Sequence, residues 1–159
     1  MESQFLAEID KHRGLLHKIC LAYSNNRLTH DDLKQEIILQ LWKSYSSFRG
    51  ESEFSTWMYR VALNTAISQT KKPSLFVGLD SAAEVQYDTE ALMNLSEDVK
   101  LLYGAISYLN KIDKAIVLLW LDDRSYEEIS DTIGISVKNV SVRLVRIKSK
   151  LAENIAKLQ

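Results

Sequence analysis

Apolar residues recur at three- and four-residue steps through most of this chain, and a single proline stands in their way. No other feature constrains the fold as much. Such spacing lays apolar side chains along one face of a helix, whereas a half-buried strand needs alternation in steps of two. Sustained alternation is absent, and glycine occurs only five times in 159 residues. The expectation is an all-α chain.

The stripes can be followed in order. Phe5, Ile9, Leu16, Cys20 and Tyr23 mark a first long helix, and Leu33, Ile37, Ile38, Leu41 and Trp42 the broad apolar face of a second. Trp57, Val61, Ala62 and Thr65 mark a third. Pro73 then opens a segment of different character: residues 73–95 hold four acidic residues, no Lys or Arg, one glycine and no sustained period. This reads as a flexible linker, spanning about 26 Å as a relaxed coil. Beyond it, Val99, Leu102, Ile106 and Leu109 suggest one helix and Ile112, Ile116, Leu119 and Trp120 the next. The chain therefore divides into two small helical domains, 1–72 and 96–159, joined by the linker 73–95.

The stretch SYEEISDTIGISVKNVSVRLVRIKSKL, residues 125–151, changes register in its middle. Ser125 with Glu128 three residues on forms a capping-box pattern, so Tyr126 to Ile133 reads as a short helix. Gly134 suits the left-handed stop, and Ser136 can cap a following helix. On that second helix Leu144, Ile147 and Leu151 fall within about 40° of Val140, a buried seam. Arg143, Lys150, Asn139, Arg146 and Val142 occupy the neighbouring arc, closed by Lys138. A short helix, a glycine turn and a basic helix match the helix-turn-helix, whose second helix enters the major groove. The plainer reading is a helical hairpin with a solvated basic face. For DNA, Lys138, Asn139 and Arg143 are the expected base readers and Arg146 and Lys150 the phosphate contacts.

Charge agrees with a local contact. The whole chain carries −1, which argues against indiscriminate coating of nucleic acid, yet residues 138–157 hold six Lys and Arg against Glu153 alone. The single cysteine, Cys20, excludes an intramolecular disulfide and fits a reducing cytosol. The longest apolar run, Ala115 to Leu121, falls far short of the roughly 20 residues of a membrane span. No signal peptide is visible, so a cytoplasmic protein without membrane insertion is expected.

Two stretches of the N-terminal half carry further signals. In DDLKQEIILQLW, residues 31–42, Asp32, Gln35, Glu36, Gln40 and Lys43 share a helical face with Leu39 among them. An exposed leucine ringed by acids and amides suits protein docking, although a merely solvated face fits the pattern as well. In FRGESEFSTWMYRVALNTAISQTKK, residues 48–72, Arg60, Asn64 and Lys71 line one side of a helix beside Phe48, Phe54, Trp57 and Tyr59. Cations interleaved with aromatics suit unpaired DNA, with Phe54 and Trp57 better explained as core.

Other groups carry no chemistry. His12, His17 and Cys20 could be drawn as metal ligands on one helix, but His12 falls on the apolar stripe and no second ligand pair exists, so Cys20 is expected in the core. Asp31, Asp32 and Glu36 lack a nucleophile, a phosphate loop or a partner histidine. Neither enzyme activity nor a metal or other cofactor is expected.

Taken in order, DDLKQEIILQLW, FSTWMYRVALN, an acidic linker and SYEEISDTIGIS with its basic helix resemble the two characteristic regions of an extracytoplasmic-function (ECF) sigma factor. The resemblance covers nearly the whole chain outside the linker. It implies a bacterial initiation factor that binds core RNA polymerase, directs it to promoter DNA and helps open the duplex, with an anti-sigma factor as a further partner. By motif position, Asp32, Leu33, Gln35, Glu36 and Leu39 would dock on the polymerase. The loop from Phe48 to Glu53 with Arg60 and Asn64 would capture the minus-ten element, and the helix after Ser136 would read the minus-thirty-five element. Departures are Ser68 and Lys71, where the family often has an acid and an arginine, and Ser141 and Val142 in place of a common Lys-Ser pair. The chief rival is a stand-alone dimeric helix-turn-helix regulator. A helical adaptor that leaves DNA alone is the third reading.

Overall fold

The computed structural model describes residues 1–71 and 89–159, and their regular elements are all helical. The N-terminal lobe holds α1 (Glu2–Lys11), α2 (Arg13–Tyr23), α3 (His30–Ser44) and α4 (Phe54–Lys71), with a 3-10 turn at Tyr45–Ser47. Its core is built from Leu16, Ile19 and Cys20 of α2, Leu33, Ile37 and Leu41 of α3, and Met58, Ala62 and Ala66 of α4, all fully buried. The Thr29 hydroxyl starts α3 by accepting the Asp32 N–H at 3.3 Å, and Asp31 and Asp32 complement the positive end of the helix dipole.

One expectation changes here. The single long first helix is two, broken at His12, whose backbone leaves the helical region at φ −113° and ψ 22°. The apolar stripe continues across the break, which is why periodicity alone does not show it. The His12 ring stacks on Phe54, with centroids 5.6 Å apart, and so ties the break to the start of α4.

Of the segment expected as linker, residues 73–88 lie outside the described residues. Residues 89–95 are folded: α5 (Thr89–Leu92) brings Leu92 to 6% exposure, and Leu95 packs against the core.

The C-terminal lobe comprises α6 (Glu97–Ile106), α7 (Lys111–Leu121), α8 (Tyr126–Ile133) and α9 (Val137–Leu158). Ser96 and Asn110 cap α6 and α7 through their side chains. The last helix lies along α6, where Asn154, 6% exposed, donates from Nδ2 to the Ala105 carbonyl at 3.1 Å. A Cβ on Gly104 would sit 3.2 Å from Leu158 Cδ1, a close contact with the end of a side chain on the last helix.

The lobes also pack on one another, α2 and α4 meeting α6, α7 and α8. The Tyr23 hydroxyl donates to the Lys111 carbonyl at 2.6 Å, and Lys18 pairs with Asp122 at 3.7 Å. Arg124 reaches furthest. Its guanidinium, with the side chain 15% exposed, donates to Ser55 Oγ and Thr56 Oγ1, both at 3.2 Å, and lies 5.2 Å from the Tyr59 ring centre. From its own lobe Asp122 and Glu128 neutralise it at 3.3 and 3.5 Å.

Candidate nucleic-acid interface

The turn that aims α9 is assembled from local hydrogen bonds. Ser125 Oγ accepts the Glu128 N–H at 3.1 Å and the Glu128 carboxylate accepts the Ser125 N–H at 3.0 Å, the complete capping box. Those bonds, with Arg124 nearby, hold the Glu128 carboxyl below its ordinary pKa. Gly134 ends α8 in the left-handed region at φ 84°, and the Ser130 hydroxyl donates across the turn to the Ile135 carbonyl. Ser136 Oγ then accepts the Asn139 N–H at 3.1 Å and α9 begins.

The seam of α9 is buried as its spacing predicts: Val140, Leu144, Ile147 and Leu151 are 0%, 1%, 1% and 7% exposed. Lys138, Asn139, Arg146 and Lys150 stand exposed on the outer side. Arg143 does not join them freely. It is half-buried, its Nη1 3.0 Å from Asp113 Oδ1 at the start of α7. Arg143, Arg146 and Lys150 thus share an open cleft of about 490 Å³ with Asp113 and Tyr108. Lys148 turns away to the Trp120 ring, 4.7 Å from its centre. Between the cations, Val142 and Val145 are 47% and 69% exposed, which the sequence reading did not single out together.

On α3, Asp32 and Gln35 are exposed, Glu36 is half-buried, and Leu39 and Trp42 present 43% and 42% of their surface. Gln40 Nε2 donates to the Glu36 carboxylate at 3.1 Å, fixing the polar rim around Leu39. Leu33 departs from the docking set: at 0% exposure it faces the bundle core, and its effect on any partner acts only through the position of α3. The α3 periodicity places it with Ile37 and Leu41, one helical side away from Leu39.

Arg60 and Asn64 are exposed on α4, and Lys71 closes that helix with its side chain outside the described residues. Beside them Phe48, Phe54 and Trp57 form a ring cluster with centroids 5.1 to 5.6 Å apart. All three rings are half-buried, and Phe54 and Trp57 pack against the core. The loop before α4 turns at Gly50, φ 73°. An open cleft of about 780 Å³ lies over this surface, lined by Arg49, Trp57 and Arg60 from one lobe and by Glu128 and Asp131 from the other. Arg49 lies in the loop expected to take part here, whereas sequence reasoning missed Arg124, whose role depends on tertiary contacts that no local spacing encodes.

His12, His17 and Cys20 have partners of other kinds. His12 stacks on Phe54, while His17 Nδ1 lies 2.9 Å from His30 Nε2. Partial burial, His30 and Lys34 lower the His17 pKa. Cys20 is fully buried, which pushes its thiol up to about 12. Among the described residues no group of three or more His, Cys, Asp or Glu side chains is placed to hold a metal. No helix among them is long and apolar enough to cross a membrane.

Comparison with known proteins places both halves. A family model described as Sigma-70 region 2 matches residues 9–74, and one described as Sigma-70, region 4 matches residues 100–151. The ECF RNA polymerase sigma-E factor of Haemophilus influenzae is 32% identical over 80% of this chain and 75% of its own length. The ECF RNA polymerase sigma factor SigW of Bacillus subtilis is 24% identical over 99% of this chain and 91% of its own length. Among solved structures, the Bartonella quintana sigma factor RpoE, determined with the anti-sigma factor NepR, shares the fold at TM-score 0.71 and 20% identity, covering 96% of this chain and 97% of that one. CnrH, determined with the cytosolic domain of CnrY, does so at TM-score 0.66 and 16% identity, covering 99% and 90%.

Proposed function

The chain belongs to the ECF RNA polymerase sigma factors, proteins that direct promoter-specific transcription initiation, and from that premise we propose how its residues divide the work. Residues 1–72 form the lobe that engages core polymerase and the minus-ten element, and residues 96–159 the lobe that engages the minus-thirty-five element. Asp32, Gln35, Glu36 and Leu39 dock on the polymerase. Arg60 and Asn64, with Lys71 at the end of their helix, hold the opened strand. Lys138 and Asn139 face base edges, Arg146 and Lys150 take phosphates, and Arg143 reads bases after exchanging Asp113 for DNA.

The observation that carries this division is the pairing, in one chain, of a leucine-centred docking face on α3 with a capped helix-turn-helix whose outer face is basic. Each surface alone serves many proteins. Together they require a protein platform and a duplex at once, and two weak contacts gain avidity when one platform holds both. The chain works in the cytoplasm, where its polymerase is, and catalyses no reaction of its own. Held between or across the lobes, an anti-sigma factor would keep it inactive, as fits the shared surface between α2, α4, α7 and α8.

The test is capture of core polymerase by the purified chain followed by run-off transcription from a selected promoter. Leu39→Asp is expected to lower polymerase binding at least about tenfold with circular dichroism unchanged, because Leu39 is exposed. A chain that ignored the polymerase and bound a palindromic operator as a dimer would refute the division.

A further inference from the structure

We propose that Val142 and Val145 read thymine methyl groups in the major groove, making them specificity-determining residues of minus-thirty-five recognition. The inference rests on the functional reading above and adds what that reading leaves open, the chemistry of the bases selected.

A scattered surface valine means little. These two are not scattered. With Val140 of the buried seam set at zero, Val142 falls at about −160° and Val145 at about 140°, so the two flank the line opposite the domain core. They are 47% and 69% exposed, among the exposed large apolar side chains of the molecule. Lys138 lies one turn before Val142 on the same outer side, and Arg146 follows Val145. An apolar pair framed by cations matches a surface that is charged at its edges and apolar at one point within, and the major groove is such a surface. Phosphates line it, and the thymine C5-methyl is the apolar group that its base pairs present.

Arg143 sharpens the argument. Its guanidinium is held by Asp113 at 3.0 Å, so using it on a guanine first requires losing an ion pair. Lys138, Asn139, Val142 and Val145 face outward with no such pair to break. Three residues of helix rise about 4.5 Å, close to the roughly 3.4 Å step between stacked bases. The two valines can therefore meet methyl groups on neighbouring pairs.

The test uses core polymerase reconstituted with the full chain. Promoters are selected from a library randomised upstream of the minus-ten element, and each upstream thymine is then replaced by deoxyuridine, which removes only the methyl. At two positions the replacement is expected to weaken promoter binding about fourfold each, the worth of one buried methyl. In the variant Val142→Ala with Val145→Ala the same replacements are expected to change binding by less than about 1.5-fold, because the coupling partner is gone. Both positions are exposed and alanine is the better helix former, so the fold should persist, and circular dichroism checks that it does. Equal binding of thymine and uracil templates, or an unchanged uracil penalty in the double variant, overturns the inference. So does a loss of polymerase affinity in the double variant without any methyl effect, which would make the patch a protein contact. Failure to select any promoter would instead overturn the family function on which the inference stands.

Discussion

Lys114 shows how one residue can report on a whole contact. Its ammonium lies 5.3 Å from the Tyr23 ring centre where the lobes meet, and burial, then Lys111, pull its pKa down to about 8. Because the folded value lies below the unfolded one, the folded state binds fewer protons between the two. Stability should therefore rise as pH increases from about 8 towards the unfolded lysine value. Urea unfolding at pH 7, 8 and 9 checks this, and Lys114→Met should raise stability at pH 7 and flatten the rise; a flat profile in the parent chain would refute it. Residues of this kind are invisible to pattern reading. Leu39 could be found in the sequence because it breaks a polar face, and Val140 because it continues an apolar one. Motif position puts Leu33 in the docking set, although its own periodicity puts it inside, where it is 0% exposed. The helical wheel puts Arg143 on the outer arc, but its partner Asp113 comes from 30 residues away, and no helical wheel contains that information.

The elements were legible wherever their ends are chemically local. Ser125 with Glu128, Gly134 and Ser136 each act within four residues of themselves, so the boundaries of α8 and the start of α9 follow from the sequence. The break at His12 was not legible, because the stripe from Phe5 to Tyr23 runs through it and the ring that stabilises it belongs to α4. The turn at Gly134 offers a test at this scale. Its φ of 84° admits an L side chain only with strain. Gly134→Ala is expected to lower stability by about 1 to 2 kcal/mol in denaturant unfolding, with open space around the position ruling out a clash as the cause. Since the same turn aims α9, promoter binding by the holoenzyme should fall more than polymerase binding. An equal loss of both would point to general unfolding.

Across the whole molecule, the two lobes close on each other through Arg124, and this arrangement sets Glu128 and Asp131 over the surface that carries Arg49 and Arg60. Acids in that place compete with a nucleic-acid backbone for the same cations. The free chain is therefore expected to bind DNA poorly, and Arg124→Ala, which removes two hydrogen bonds from a charged donor, to shift the closed state towards open by at least about tenfold. Small-angle scattering should show a larger radius of gyration, and fluorescence anisotropy a tighter hold on a minus-ten single strand. Unchanged values on both would mean the contact is incidental. The burial of Cys20 has a practical bearing on that experiment. With its thiol fully covered and its ionisation pushed up to about 12, the native protein should be nearly inert to maleimides. Dyes could then be attached at one engineered position on either side of the seam, without first removing the natural sulfur, to watch the two halves separate in real time.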